Sequence, residues 1–296
     1  MTRSASGIPD DWVDKMIGDK RIKKIKDYDD SRSLFNNVNI GGGVNYFLWD
    51  SNYSGMCDYT FIDSDGIVSN KEMFLNSLSK DLVIRDLKSH SILKKVSEIH
   101  PGYHEDEKEN FYDLVAPFDL GYKLSTNWRG YSKVKDNKNN IKYYVSETTN
   151  NVPYGWISKD CIDRHFNVIG EHKVLVPRAA GMQEMLGKPR YGEPGSASSH
   201  TYVIIGYKHS LSKEEALNIM SYISTKFFRF MVGIRKKTQI ATRKVYQFVP
   251  IQDWSKSWND KDLYDKYGLT DDEIKYIEST ISSMDISEEL KSASNV

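Results

Sequence analysis

The chain has 296 residues, with 41 basic and 41 acidic side chains, 28% charged and 12% aromatic content. That is a globular composition with enough apolar content for one large or two ordinary domains, and it excludes a disordered or generally polycationic chain. No apolar run reaches the roughly 18 residues a membrane helix needs. The N-terminal MTRSASGIPDDW lacks a secretory core, and Cys57 and Cys161 lack metal-site spacing, so buried free thiols in a reduced, cytoplasmic setting are expected.

In chain order, residues 9–19 predict a short helix, with Pro9 in the first turn, acids crowding the start, and Trp12, Met16 and Val13 giving an apolar face. RIKKIKDY (21–28) alternates like a strand. GGGVNYFLWD (41–50) places glycines before a continuous apolar run, the pattern of a strand covered on both faces. CDYTFID (57–63) follows a turn around Asn52–Gly55, so the two runs predict a hairpin. DLVIRD (81–86) reads as extended, and SILKKVSEI (91–99) as a helix with Ile92, Val96 and Ile99 on one side.

Asp136 to Asn140 is a polar turn beside the strand IKYYVS. KVLVP (173–177) and TYVIIGY (201–207) are further strands, and LGKPRYGEPGSASS between them reads as a long loop of the kind that carries recognition. Ser212 and Glu215 form a capping box. Ala216, Met220, Ile223, Phe227, Phe230, Met231 and Ile234 then recur at helical spacing, predicting one long buried stripe. From Asp253 onward 11 acids face 5 lysines, with a further capped helix from Thr270.

Catalytic and metal-binding fragments are all incomplete. Gly41–Gly43 lacks the Lys-Ser/Thr of a phosphate loop. His100 and His104 are separated by Pro101 and Gly102, which breaks a shared ligand face. Asp106-Glu107-Lys108 lacks the upstream Asp of a nuclease site and reads as a solvated loop. Asn151-Val152-Pro153-Tyr154 has the wrong second residue for an amino-methyltransferase motif. No catalytic residue and no metal ligand is therefore assigned.

The charge pattern is more informative. Residues 217 to 252 contain no Asp or Glu but carry Lys226, Arg229, Arg235, Lys236, Lys237, Arg243 and Lys244. A one-signed block in a neutral chain focuses a field on polyanions such as the DNA backbone. Thr238, Gln239 and Thr242 among those cations suit phosphate contacts, while Gln and Arg also suit base edges. Lys20, Arg21, Lys23, Lys24 and Lys26 form a second cluster, read equally well as the wet face of a strand.

FNNVNIGGGVNYFLWD resembles the stretch after the catalytic core of gamma-class adenine DNA methyltransferases, above all the fused type IIG restriction-modification enzymes. YGEPGS, TYVIIG, STKFFRFMVGIRKKTQIATRKVYQFVPIQDW and LYDKYGLTDDEIKYIES resemble their C-terminal target-recognition part. The resemblance implies an upstream Rossmann-like domain holding S-adenosylmethionine, a C-terminal part that selects the DNA site, and extrusion of the target adenine. The chain is expected to begin after the cofactor loop, so it holds no cofactor unless another chain supplies that domain. Phe35 matches the aromatic residue that packs on the extruded adenine, or is an ordinary core phenylalanine.

The expected fold is α/β (α+β): the edge of a methyltransferase-like sheet over 1–69, a mixed strand-and-loop DNA target-recognition domain over 70–252, and an acidic helical tail over 253–296. The expected partner is double-stranded DNA. Lys226, Arg229, Arg235, Lys236, Lys237 and Lys244 are assigned to phosphates, and Gln239, Arg243, Arg190, Ser196 and His200 to bases. Two alternatives stay open: a methyltransferase subunit needing a separate S-adenosylmethionine-binding chain, or a non-catalytic interaction module that self-associates through an exposed sheet edge.

Overall fold

The computed structural model describes residues 10–35, 40, 42–105, 109–146, 154–236, 238–285 and 290. Among these, six helices and ten strands make a mixed α+β protein in two units, Met1–Glu105 and Asp106–Val296. None of these helices is long and apolar enough to cross a membrane.

In the first unit, α1 (Asp10–Gly18) lays Val13 and Ile17 onto a four-stranded sheet of β1 (Ile22–Tyr28), β2 (Val44–Trp49), β3 (Cys57–Ile62) and β4 (Val68–Met73), ordered β2-β1-β3-β4. The predicted hairpin of β2 with β3 does not form. Both strands pair instead with β1, β2 antiparallel and β3 parallel. As an edge strand β2 is not covered on both faces: Tyr46, Phe47, Leu48 and Trp49 are each 44% to 55% exposed. An apolar run alone does not distinguish an edge from a central strand, because pairing is non-local.

Asp27 is buried in β1, where Arg85 holds its two carboxylate oxygens at 2.7 and 2.8 Å and the Tyr59 hydroxyl donates at 2.5 Å. A buried charge is tolerated only when paired in this way. Gly43 has φ of 78°, and a Cβ there would lie 2.1 Å from the Tyr28 carbonyl, so only glycine fits the approach to β2. Burial pushes the Cys57 thiol up to about 12, whereas Cys161 is half-buried. Helix α2 (Leu87–Ile99), capped by Asp86, buries Ile92 and Val96; Ile99, expected on the same side, is exposed. Strand β4 runs through the expected 69/70 boundary, which is therefore no domain border.

In the second unit, β5 (Ile141–Tyr144), β6 (Tyr154–Ile157) and β9 (Ser196–Ser198) form one sheet, ordered β6-β5-β9. Strands β7 (Lys173–Pro177), β8 (Arg190–Gly192) and β10 (Tyr202–Ile205) form the other, ordered β10-β7-β8. Leu124, Tyr143, Ile157, Leu175, Ala197 and Ile204 pack together in one core. The predicted long loop over 186–199 thus contains two short strands, β8 and β9. Ser196, Ala197 and Ser198 are small enough for β9 to lie buried parallel to β5.

The capping box at Ser212 opens α3 (Lys213–Ser224) as expected, but the apolar stripe is two helices rather than one. Thr225 adopts φ −66°, ψ 151°, ending α3 and capping α4 (Lys226–Arg235). Asp260 reinforces that cap, accepting from the backbone of Lys226 at 3.0 Å and Phe227 at 2.8 Å. Helices α5 (Asp260–Lys266) and α6 (Asp271–Thr280) pack on α4 through Phe227–Tyr267 and Phe230–Tyr276 ring contacts. The acidic tail from 253 is therefore part of the second unit's core.

Candidate nucleic-acid interface

Most of the acid-free block lies inside the second unit. Arg229 is 1% exposed, and its guanidinium donates to the carbonyls of Ser282 (2.8 Å), Thr225 (3.2 Å), Glu184 and Ser224 (both 3.3 Å). Lys236 is buried with its Nζ on the Ala180 carbonyl, 3.2 Å away. Burial lowers the proton affinity of both groups. Neither reaches a phosphate, so both assignments are corrected to structural roles. Lys226 is largely covered and paired with Glu278, so its charge faces the tail.

Arg243 is held by the carbonyls of Val115 (2.8 Å) and Tyr112 (3.2 Å), with its guanidinium carbon 3.6 Å from the Tyr112 ring centre. Ser196 is buried and donates to the Glu193 carbonyl at 2.5 Å. These two are likewise removed from base reading, since their donors point into the protein. Arg235 is half-buried over Phe248, and Lys244 is half-buried. Arg190 lies beside the Tyr202 hydroxyl. Lys237 falls outside the described residues, as do Asp106 to Lys108 and Asn151 to Pro153.

Phe35, in the first unit, is 49% exposed and so is not a core residue. In the same unit Lys24 is paired with Asp58, Arg21 with Asp19, and Lys20, Lys23 and Lys26 lie over Phe74, Tyr53 and Tyr28. The cations of that cluster are thus paired with acids or lie over rings, Lys20 and Arg21 in the turn before β1 and the other three on β1. His100 and His104 both pack edge-on to Tyr103, the arrangement of ring packing rather than a shared ligand face.

Gln239 and His200 are brought onto one row. Beyond the end of β7, an isolated bridge pairs Ala179 with Ile240: Ala180 donates to Gln239 (3.1 Å), Ala241 to Arg178 (2.7 Å) and Arg178 to Thr201 (2.8 Å), all through backbone groups. Thr201 Oγ1 then donates to Thr126 Oγ1 at 3.3 Å, and the backbone of His200 donates to Leu124 at 2.9 Å. Arg178 and His200 flank Asp119, at 2.6 and 4.0 Å. Exposed Gln239, Thr126 and Asn127 complete an edge rich in short donors and acceptors.

A basic surface missed by the sequence reading adjoins that row in the chain. Between 123 and 142 lie Lys123, Arg129, Lys133, Lys135, Lys138 and Lys142, with one acid, Asp136. The first five are exposed, and Lys123 and Lys133 have no ion pair or hydrogen bond among the described residues. Asp136 turns inward on its own loop. The Asn139 backbone N–H, the Asn139 side chain and the Lys138 backbone N–H hold its carboxyl below the usual range. Counting acids in a sliding window would have found this stretch.

No protein-family model and no curated protein matches the chain. Solved structures do match; among them is the type IIG restriction endonuclease BpuSI, similar at 12% identity and a TM-score of 0.33 over 88% of this chain. The match covers 40% of that enzyme, so this chain spans about two-fifths of its length.

Proposed function

We propose that this chain binds double-stranded DNA and reads its sequence, as the target-recognition portion of an adenine DNA methyltransferase or restriction-modification enzyme. The observation that carries the reading is the Gln239–Arg178–Thr201–Thr126 row, supported by five exposed cations between 123 and 138. Point cations suit the backbone, and short polar donors with Gln suit base edges. The resemblance of the 224–254 and 263–279 segments to target-recognition regions supports the same reading.

The test is a binding titration against random duplex DNA over a range of salt. Five cations on phosphates give a log–log slope of roughly −4.5. A flat salt response, or no binding at low salt, overturns the proposal.

The uncharged, apolar edge of β2 favours a second reading, in which a separate chain supplies the S-adenosylmethionine-binding domain and docks on that edge. A methylation assay with and without such a chain tests it. Activity of this chain alone overturns it.

A further inference from the structure

We propose that two hydrogen-bonded loops of the second unit, 118–122 and 163–166, form a stacking platform for a nucleobase, with the ring of Tyr122 as its contact face. The proposal rests on the DNA-binding reading and deepens it to one residue. Tyr122 is 77% exposed, more than any other large apolar side chain among the described residues. A single exposed ring is ordinary, but here Tyr122, His165 and Phe166 are exposed together on two loops bonded to each other, and a group of exposed rings marks a contact surface.

The backbone carrying that ring is fixed. The Tyr122 N–H donates to Asp163 Oδ2 at 2.9 Å, and the backbone N–H groups of Asp163 and Arg164 donate to Leu120 at 3.1 and 3.4 Å. The ring of His200 donates to the Gly121 carbonyl at 2.9 Å. A Cβ on Gly121 would lie 3.0 Å from both Cys161 O and Asp163 Oδ2, so the missing side chain lets the loops close. Arg164 is anchored through Nε to the Asp119 carbonyl at 2.9 Å, and its guanidinium carbon sits 4.6 Å from the Tyr122 ring centre. A cation behind one face of the ring leaves the remaining surface for a flat partner.

The neighbouring residue adds a second, independent sign. His165 holds φ of 55°, a conformation that side-chain-bearing residues adopt rarely and at a cost. That backbone lays the exposed imidazole flat on Phe118, with ring centres 3.5 Å apart and planes within 10°. Phe166 beside it is also exposed. Every nucleobase offers a π-face, which suits such a surface whatever the sequence. His200 ties the platform to the reading row, because its backbone N–H meets Leu124 and Thr201 follows it. A stacked base in a duplex hides its face, so the platform takes a base from an opened or mismatched step.

The experiment compares the parent chain, Tyr122→Ala and Tyr122→Phe on a fully paired duplex and on one with a single unpaired base, across salt. The parent chain is expected to prefer the unpaired base. Tyr122→Ala is expected to lose that preference and roughly 5- to 150-fold in affinity with the salt slope unchanged, and Tyr122→Phe to behave as the parent. Ala binding like the parent, or Phe failing along with Ala, overturns the stacking role while leaving DNA binding in place. A parent chain that binds no DNA overturns both readings. Circular dichroism of each variant confirms that the exposed substitution leaves the fold intact.

Discussion

The guanidinium of Arg229 donates to the Ser282 carbonyl at 2.8 Å, tying α4 to the segment that follows α6. Three other carbonyls share the same buried guanidinium. Truncating it strands several acceptors out of water, so Arg229→Ala is expected to destabilise the second unit by about 2–4 kcal/mol. The measurement is the urea midpoint at unchanged slope. DNA affinity of the folded variant is expected to match the parent. A stable variant with weaker, less salt-dependent binding would return Arg229 to the phosphate contacts.

The exposed lysines make the opposite forecast. Lys133 and Lys135 are exposed on a loop; neither has an ion pair among the described residues, and Lys135 Nζ lies 5.1 Å from the Trp156 ring centre. Replacing both with Ala is expected to shift stability by no more than about 0.5 kcal/mol each. The same change should make the salt slope shallower by roughly 1.8, about 0.9 per lost phosphate contact. An unchanged slope places the DNA elsewhere on the protein.

The contrast between these sites shows what the sequence could disclose. Local devices were legible in part: the Ser212–Glu215 box opens α3, whereas on α1 the expected Val13 faces the β1 sheet together with Ile17, and the expected Trp12 is exposed. The break at Thr225 was not, because apolar residues keep helical spacing across it and Asp260, more than thirty residues on, reinforces the second cap. The pairing of β2 with β1 was hidden for the same reason, since strand partners are chosen by non-local packing. Within the candidate site, the charge pattern located an acid-free block but could not show that Arg229 and Lys236 inside it are buried. Whether an Arg meets solvent or four carbonyls depends on segments distant in sequence, as Arg229 and Ser282 show. Lys123 to Lys138 lie in a stretch without periodicity, where no element drew attention to them.

Lys173 offers a pH test of burial. Its side chain is fully buried, donates to the carbonyls of Glu171 (2.9 Å) and Glu193 (3.5 Å), and is pushed down to about 8 by burial. A depressed ammonium means that the unfolded chain holds a proton the folded chain has released between about pH 8 and 10.5. Stability from this group therefore rises with pH across that window, by up to about 3 kcal/mol. Lys173→Met removes the titration, so the stability gap between variant and parent is expected to change through pH 7.5–9.5 in the parent's favour. Buried tyrosines act oppositely at higher pH but are common to both proteins. A gap that stays constant across the window means that Lys173 titrates normally.

Gln239 separates reading from mere attraction. It is exposed and uncharged, and it is held on the row by the backbone bond from Ala180 at 3.1 Å. A bidentate amide to adenine discriminates by about 1–3 kcal/mol, whereas its removal releases no counterions. Once a preferred site has been selected from a random pool, Gln239→Ala is expected to weaken binding to that site by roughly 5- to 150-fold. Binding to unselected duplex and the salt slope should both stay at parent values. Selection repeated with the variant should relax at one position of the site. If Gln239→Ala instead weakens all sequences equally, Gln239 is a backbone contact, and base reading falls to Arg178, Thr126 and Thr201 beside it.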